Sequence, residues 1–473
     1  MKIVIFGLGK FFENRKSKIP GELEVVCYLD NNHSLQGTLL DEIPVYAPEQ
    51  IVEIEYDQII LMSAKAYEMR EQLLNLGAAE EKIVLWNDFY GKYFQEQVKV
   101  YMLPGCPMQD KRSIMIVHPG LNYDGATMVI VYALQALMEK GHSVILVAAD
   151  GNPVFIHEMT KLKVPIVIAP GILTVSYHEL KENEQLKKFD MVLVNSNPMM
   201  RFASEISRIK PTVWWVHTPK YMQNRNVKEM PQYVQTDKLS HIHICAVSKV
   251  AADGLNYYVP NIVKDIIPYG IPDKAQSKQY KDGTGKKRLV FAIIGAIWEL
   301  KGQYLFVQAL QRLAPQYEDQ YEAWIIGRPI ETEYYEKFLS ESQKIKNVKI
   351  LGELNREALE EIYQEIDVVV CPSIEDSLPV VMTEAMMYRK VCIASDATGT
   401  RDYIEENKNG FICKAGDVDS LTEKIEFILK HKDQISMIGK NARKTYEKFF
   451  SMERFVENLE QEIDKTIRFW TAD

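Results

Sequence analysis

Short runs of apolar residues, each about the length of one β-strand, recur along the whole chain and alternate with amphipathic stretches of helix length. They read KIVIFG, EVVCYLD, DQIILMS and KIVLW, then IMIVHP, SVILVAA, VPIVIA, DMVLVNS, TVWWVH and HICAVS, and finally LVFAIIGAI, YEAWIIG, VKILGEL, DVVVCPS, VCIAS and GFICKAG. A strand that is apolar along its whole length has both faces buried, which is the condition inside a parallel sheet covered by helices. The rhythm therefore predicts βαβ units and an α/β fold. In such sheets ligands bind beyond the carboxyl ends of the strands, so the residues that end each run are the ones to read for function.

The chain has 473 residues, enough for several domains. Three successive βαβ units are expected, over residues 1–98, 113–273 and 286–447, with a last amphipathic helix over 448–473. The stretch Val98 to Arg112, containing PGCPMQDKR, reads as a connector because Pro and Gly interrupt it. The polar DKAQSKQYKDGTGKKR reads as an interdomain linker. Gly141 is a natural stop for the helix TMVIVYALQALMEKG. The net charge of −9 and the lack of a basic stripe argue against nucleic acid as a partner. The six cysteines are scattered without a CxxC pair, as expected of reduced core thiols in the cytoplasm. MKIVIFG opens a strand and not a leader, and no apolar run reaches membrane-spanning length. Any membrane contact is expected to be peripheral, on the inner face.

Four loops of the third unit fall at strand ends: Gly295 and Ala296 with Lys301 and Gly302 after them, Gly327 and Arg328, Gly352 to Leu354, and Ser373 to Pro379. The last contains Glu375 and Asp376, and the following helix carries Glu384 among apolar residues. A buried carboxylate needs a partner. A ribose diol supplies two hydroxyl donors to one carboxylate, and a salt bridge on the helix surface is the structural alternative. The helix start after Pro379 and the Lys301 ammonium both suit phosphate.

The stretches IIGAIWELKGQ, CPSIEDSLPVVMTEAMMYRKVCIASDATGTRDYI and NGFICKAGD resemble the C-terminal half of the family 4 glycosyltransferases, retaining enzymes of the GT-B fold. DGATMVIVYALQALMEKGHSVILVAADG, WWVHTP, CAVSKVAADGL and DIIPYGI resemble landmarks of that family's N-domain, so the resemblance spans residues 113–473. It implies two Rossmann-like domains facing each other across a cleft, with the final helix crossing back to the N-domain. It implies that Glu384 binds the donor ribose and that Lys301 holds the diphosphate. Asp376, eight positions before Glu384, stands where relatives have the glutamate that contacts the hexose; Glu375 precedes it. Ser377, Leu378 and Pro379 replace the usual Gly-Phe-Gly, and Ala296 replaces a frequent arginine, for which Arg328 is a candidate substitute. Gly399 matches one glycine of the Gly-Gly loop, and Thr398 replaces the other. His217 matches a histidine near the donor sugar; as a bare sequence feature it also reads as a core cap. Asp124, Gly125 and Ala126 fall in the loop facing the diphosphate and the acceptor. Donor contacts are thus expected from Gly295, Ala296, Lys301, Gly327, Arg328, Leu354, Glu375 to Pro379 and Glu384.

The resemblance implies transfer of a hexose-type sugar from a nucleotide diphosphate sugar, UDP by default, to a glycan, lipid-linked or protein acceptor. No cofactor and no essential metal are expected. Two alternatives stand: a degenerate GT-B subunit that serves a partner enzyme, and an NAD-linked enzyme acting through the first unit. That unit resembles the small Rossmann-like modules fused to bacterial polysaccharide-assembly enzymes. IVIFGLGK opens it with Gly7 and Gly9, but the third glycine of a dinucleotide fingerprint is Phe12, and Asp30 ends the second strand.

Overall fold

The computed structural model describes residues 1–275, 286–330 and 332–472. The middle of the expected linker, residues 276–285, lies outside the described residues.

The chain builds three sheets. The first contains β1 (Lys2–Phe6), β2 (Glu24–Leu29), β3 (Leu39–Leu40), β4 (Ile43–Tyr46), β5 (Gln58–Leu61) and β6 (Ile83–Leu85), in the order β3-β4-β2-β1-β5-β6. The second contains β7 (Lys99–Val100), β8 (Ser113–His118), β9 (Ser143–Ala148), β10 (Ile166–Ile168), β11 (Met191–Asn195), β12 (Thr212–Val216), β13 (His243–Ala246) and β14 (Asp265–Ile266), in the order β14-β13-β12-β11-β8-β9-β10-β7. The third contains β15 (Leu289–Ile294), β16 (Tyr321–Ile326), β17 (Val348–Gly352), β18 (Val368–Cys371), β19 (Val391–Ser395) and β20 (Phe411–Cys413), in the order β17-β16-β15-β18-β19-β20. All pairs of the third sheet are parallel. In each sheet the first long strand lies inside, and strand order reverses beside it. Crossovers on the two sides of that point run over opposite faces and leave a crevice at the carboxyl edge.

Three short strands depart from the sequence expectation. The hairpin β3–β4 turns through Asp41 and Glu42, both in the left-handed region at φ 50° and 66°. Its strands are too short to show a pattern. The connector also contributes β7, which pairs antiparallel with β10 at the edge of the second sheet. Among the described residues no helix is long and apolar enough to cross a membrane.

The helix Met452–Ala472 crosses back onto the second sheet. Its Phe455 ring lies 5.5 Å from that of Trp215, and Trp470 Nε1 donates to Ser207 O at 3.0 Å. Trp214 and Trp215 are core residues, fully buried, with indole N–H groups donating to Ser196 O and Ile267 O. At the amino end of β13 a polar cluster secures the same helix. His243 Nε2 lies 3.2 Å from Asp265 and also contacts Glu462, while Lys465 Nζ donates to Asp265 at 2.9 Å. This His/Asp/Glu group sits at the strand's amino end, away from the carboxyl edge. With a lysine between the two acids, it serves as a clamp.

Phe455 is completely buried between the crossing helix and β12. Phe455→Ala is expected to lower the unfolding free energy in urea by about 3–5 kcal/mol. An unchanged midpoint would show that the helix is not part of the cooperative core.

Candidate functional site

The third sheet places its strand-end glycines side by side. Gly295 and Gly327 have φ of 142° and 148°, and a Cβ on Gly327 would sit 1.9 Å from Gly295 O. Gly327 N donates to Gly352 O at 2.8 Å. Backbone therefore approaches backbone here, which only glycine allows.

The Lys301 turn packs on the β18 loop. Gly302, at φ +74°, leaves no room for a Cβ, which would lie 2.5 Å from Pro372 O, and Ile374 N donates to Leu300 O at 2.9 Å. This seats the Lys301 ammonium on the Asp376 carboxylate. Burial would push the lysine pKa down, but the adjacent carboxylate outweighs it and the net shift is upward, so Lys301 remains a cation. The Asp376 backbone is fixed by Asp376 N to Ala397 O at 3.2 Å and Gly399 N to Asp376 O at 3.0 Å. A Cβ on Gly399 would lie 1.8 Å from Ser377 O, which accounts for the glycine there.

The turn from Glu375 to Pro379 joins the two larger sheets. Glu375 accepts a hydrogen bond from Tyr221 N at 2.8 Å, in the first turn of the helix Lys220–Glu229. Ser377 Oγ donates to His217 O, Ser248 Oγ donates to Ser377 O, and the Tyr269 hydroxyl donates to Leu378 O at 2.8 Å. Pro379 then caps the helix Val380–Met387. Opposite it begins the helix Gly125–Glu139, capped by Asp124, whose carboxylate accepts from Thr127 N at 2.8 Å. A Cβ on Gly125 would meet Val380 Cγ2 at 3.1 Å, so Gly125 and the adjoining Ala126 bring one helix start against the other. Asp124 is thus the builder of this loop, with its carboxylate engaged by the helix.

Glu384 points into a cavity lined by Ile271, Lys274, Arg356, Leu359, Tyr363 and Met387. The Tyr363 hydroxyl donates to Glu384 Oε2 at 3.2 Å, and its ring stacks on Tyr388 at 4.6 Å. Arg356 donates to the Tyr132 hydroxyl on the facing helix and lies 3.6 Å from Glu360. Burial raises the Glu384 pKa; the Arg356 charge and the Tyr363 hydrogen bond oppose that rise without cancelling it. A carboxylate so placed has hydrogen-bonding capacity left for a diol.

The carboxyl edge of the second sheet carries two imidazoles. His118 ends β8, and His217 follows β12 with the Trp215 ring 4.3 Å away. Burial holds both neutral, lowering His118 to about 4 and His217 to about 3; His118 also depresses His217, and Asp124 partly offsets the fall of His118. The Nε2 atoms of both rings, and the side-chain amide of Asn195 at the end of the intervening β11, have no hydrogen-bond partner. Buried polar atoms of this kind cost free energy until something bonds them.

The structure thus brings Lys301, Asp376, Ser377, Leu378, Pro379, Gly295 and Gly327 to one edge, with His217 across from them. Other expected contacts fall differently. The Arg328 side chain is 61% exposed, with Nε 4.0 Å from Glu353. Ala296 offers its carbonyl, which accepts from Gln303 Nε2 at 2.8 Å, and Leu354 packs against the core. Arg356, Tyr363, Tyr269, Ser248 and His118 escaped the sequence reading. Only Arg356, just after the Gly352 to Leu354 loop, and His118, at a strand end, carried a positional cue.

Residues 275–445 match the family model described as glycosyl transferases group 1, and residues 1–84 match C2185-like, N-terminal. The chain is 23% identical over 301 residues to a trehalose synthase of Thermococcus litoralis, covering 58% of this chain and 69% of the relative. It is 22% identical over 213 residues to an Escherichia coli protein named UDP-Gal:alpha-D-GlcNAc-diphosphoundecaprenol alpha-1,3-galactosyltransferase, covering 43% and 54%. Among solved structures, Anabaena Alr3699/HepE in complex with UDP and glucose superposes with a TM-score of 0.62 at 16% identity, covering 75% of this chain and 99% of that one. The two larger sheets thus share the GT-B architecture.

His118 gives a pH prediction. Its folded pKa of about 4 lies below the ordinary 6.5, so the unfolded chain binds more protons between those values. Stability is complete above 6.5 and falls as pH drops toward 4, with a limiting slope of about 1.4 kcal/mol per pH unit. His118→Asn is expected to flatten that slope in denaturant melts at stepped pH. An identical slope in the variant would contradict a neutral buried imidazole.

Proposed function

We propose, for a chain that carries a glycosyl transferases group 1 domain on a GT-B fold, that it moves a hexose-type sugar from a UDP-sugar to a glycan or lipid-linked acceptor with retention of anomeric configuration. Glycosyltransferase is the activity class. The setting that fits is synthesis of a surface polysaccharide or glycoconjugate. The observation that carries this reading is the pairing of a half-buried lysine with half-buried carboxylates along one sheet edge: Lys301 on its Asp376 partner, and Glu384 in its own cavity.

In this reading the ribose hydroxyls bond Glu384, and the diphosphate takes Lys301 from Asp376. The exchange frees Asp376 to accept hydrogen bonds from the sugar. Each group of the ion pair thus holds the other's place until the donor arrives. Glu375 accepts from Tyr221 N, which favours Asp376 as the acid that contacts the hexose. The C1–O bond to the diphosphate breaks, and the acceptor oxygen bonds C1 on the same face. The acceptor proton passes to the departing phosphate oxygen. Lys301 and the start of the helix Val380–Met387 stabilise the developing negative charge. Neutral His217 and His118 are hydrogen-bonding partners for hydroxyls at the cleft floor. No group of this chain needs to act as nucleophile, and positioning carries the rate.

The NAD reading of the first unit weakens against Asp30, whose carboxylate accepts from Leu8 N at 2.7 Å and Asn32 N at 2.8 Å and so organises its own loop. A non-catalytic subunit is favoured by Ala296 in place of the usual cation and by Asp376 in place of the usual glutamate. Release of UDP by the purified single chain with an acceptor decides against it.

Glu384→Ala is expected to weaken UDP binding by about 2–3 kcal/mol in calorimetry; unchanged affinity would remove the ribose assignment. Lys301→Ala is expected to lower turnover of a UDP-sugar far more than it weakens binding of uridine. Equal losses in both would deny the lysine a role on the leaving group.

A further inference from the structure

The carboxyl edges of all three sheets meet at one junction. After β1 come Gly7 to Lys10, and Lys10 Nζ donates to Pro329 O at 2.9 Å, in the loop that follows β16. Lys18 pairs with Asp150, in the loop that follows β9. Past β5, Tyr67 receives the Lys228 ammonium 5.6 Å from its ring centroid, on the helix that follows β12. The first sheet therefore faces the cleft with its own crevice edge.

Its two attachments are unequal. To the second sheet's domain it is anchored by packing. The helix Trp86–Tyr93 lies on the turn Pro170–Leu173, where a Cβ on Gly91 would approach Leu173 Cβ to 2.9 Å. Asp88, raised in pKa by burial, lies 3.5 Å from Arg201. Toward the third sheet's domain it reaches with an exposed side chain, the Lys10 hydrogen bond to Pro329 O. A module packed on one half and reaching the other through an exposed side chain moves with the first and reports its distance from the second.

We propose that the N-terminal module is the third wall of the cleft and that Lys10 is a positioning residue, latching that wall to the donor-side loop Arg328–Ile330 when the halves close. The inference rests on the donor-site reading of the third sheet. The acceptor, a polyhydroxylated chain, then enters past the module, and the module limits which chains fit.

Amide hydrogen exchange of the full-length protein with and without UDP tests this. UDP is expected to slow exchange over residues 373–384 and, about fivefold, over residues 8–14, the factor one net hydrogen bond supplies. Lys10→Ala is expected to abolish the second effect and keep the first, and Lys10→Arg to restore it. Slowing at 373–384 with no change at 8–14 in the wild type would overturn the latch alone. No slowing at either segment would overturn the donor site and the latch together.

Discussion

Five consecutive residues, Glu375 to Pro379, hold the two large domains in register. They use groups that any residue would supply (the carbonyls of Ser377 and Leu378) together with two side chains, Glu375 and Ser377. The partners, Ser248, Tyr269, His217 and Tyr221, come from the second sheet's domain. Because the turn begins at the carboxyl end of β18 and ends at a helix start, it fixes the cleft edge and the crossing of the halves at once. The tolerance is small: a methyl group at Gly399 would collide with Ser377 O, and one at Gly302 with Pro372 O. Buried apolar residues of both domains, such as Val216 and Met382, belong to one continuous core, so the turn lies against a packed interface.

That geometry explains how a polar cleft exists between two apolar sheets. A buried cation and a buried anion each cost several kcal/mol when alone. Lys301 and Asp376 neutralise each other, and Glu384 is moderated by Arg356 and Tyr363. The imidazoles opposite avoid the cost by remaining neutral. In the proposed reaction a diphosphate changes this balance by offering Lys301 a stronger partner, and the acids then become available to hydroxyls. On that proposal, the residues that neutralise one another in the cleft are the ones that recognise a sugar nucleotide.

Much of this was legible in the chain. The strand runs mark the sheets, and the glycines ending them mark the edge where Lys301 and Asp376 meet. Glu384 betrayed itself as an acid on an apolar helix. The short pairs β3–β4 and β7 were not legible, because two to four residues carry no period. Nor were the partners across space. Arg356 reaches Tyr132 over 224 positions, and Tyr269 reaches Leu378 over 109. Position alone did not show that the Arg328 side chain lies near Glu353 or that Asp124 caps a helix. The N-terminal module's placement rests on Lys10, Lys18 and Gly91, which in sequence are indistinguishable from surface lysines and a helix glycine.

The central claim is that Glu384 recognises a ribose. Calorimetric titration of UDP against 2′,3′-dideoxyuridine diphosphate, on the wild type and on Glu384→Ala, addresses it directly. The account predicts that the wild type discriminates strongly between the two ligands and that the variant binds both alike. A variant that still prefers UDP by the wild-type margin would show that the pentose is held elsewhere, and the assignment of this cleft would be wrong.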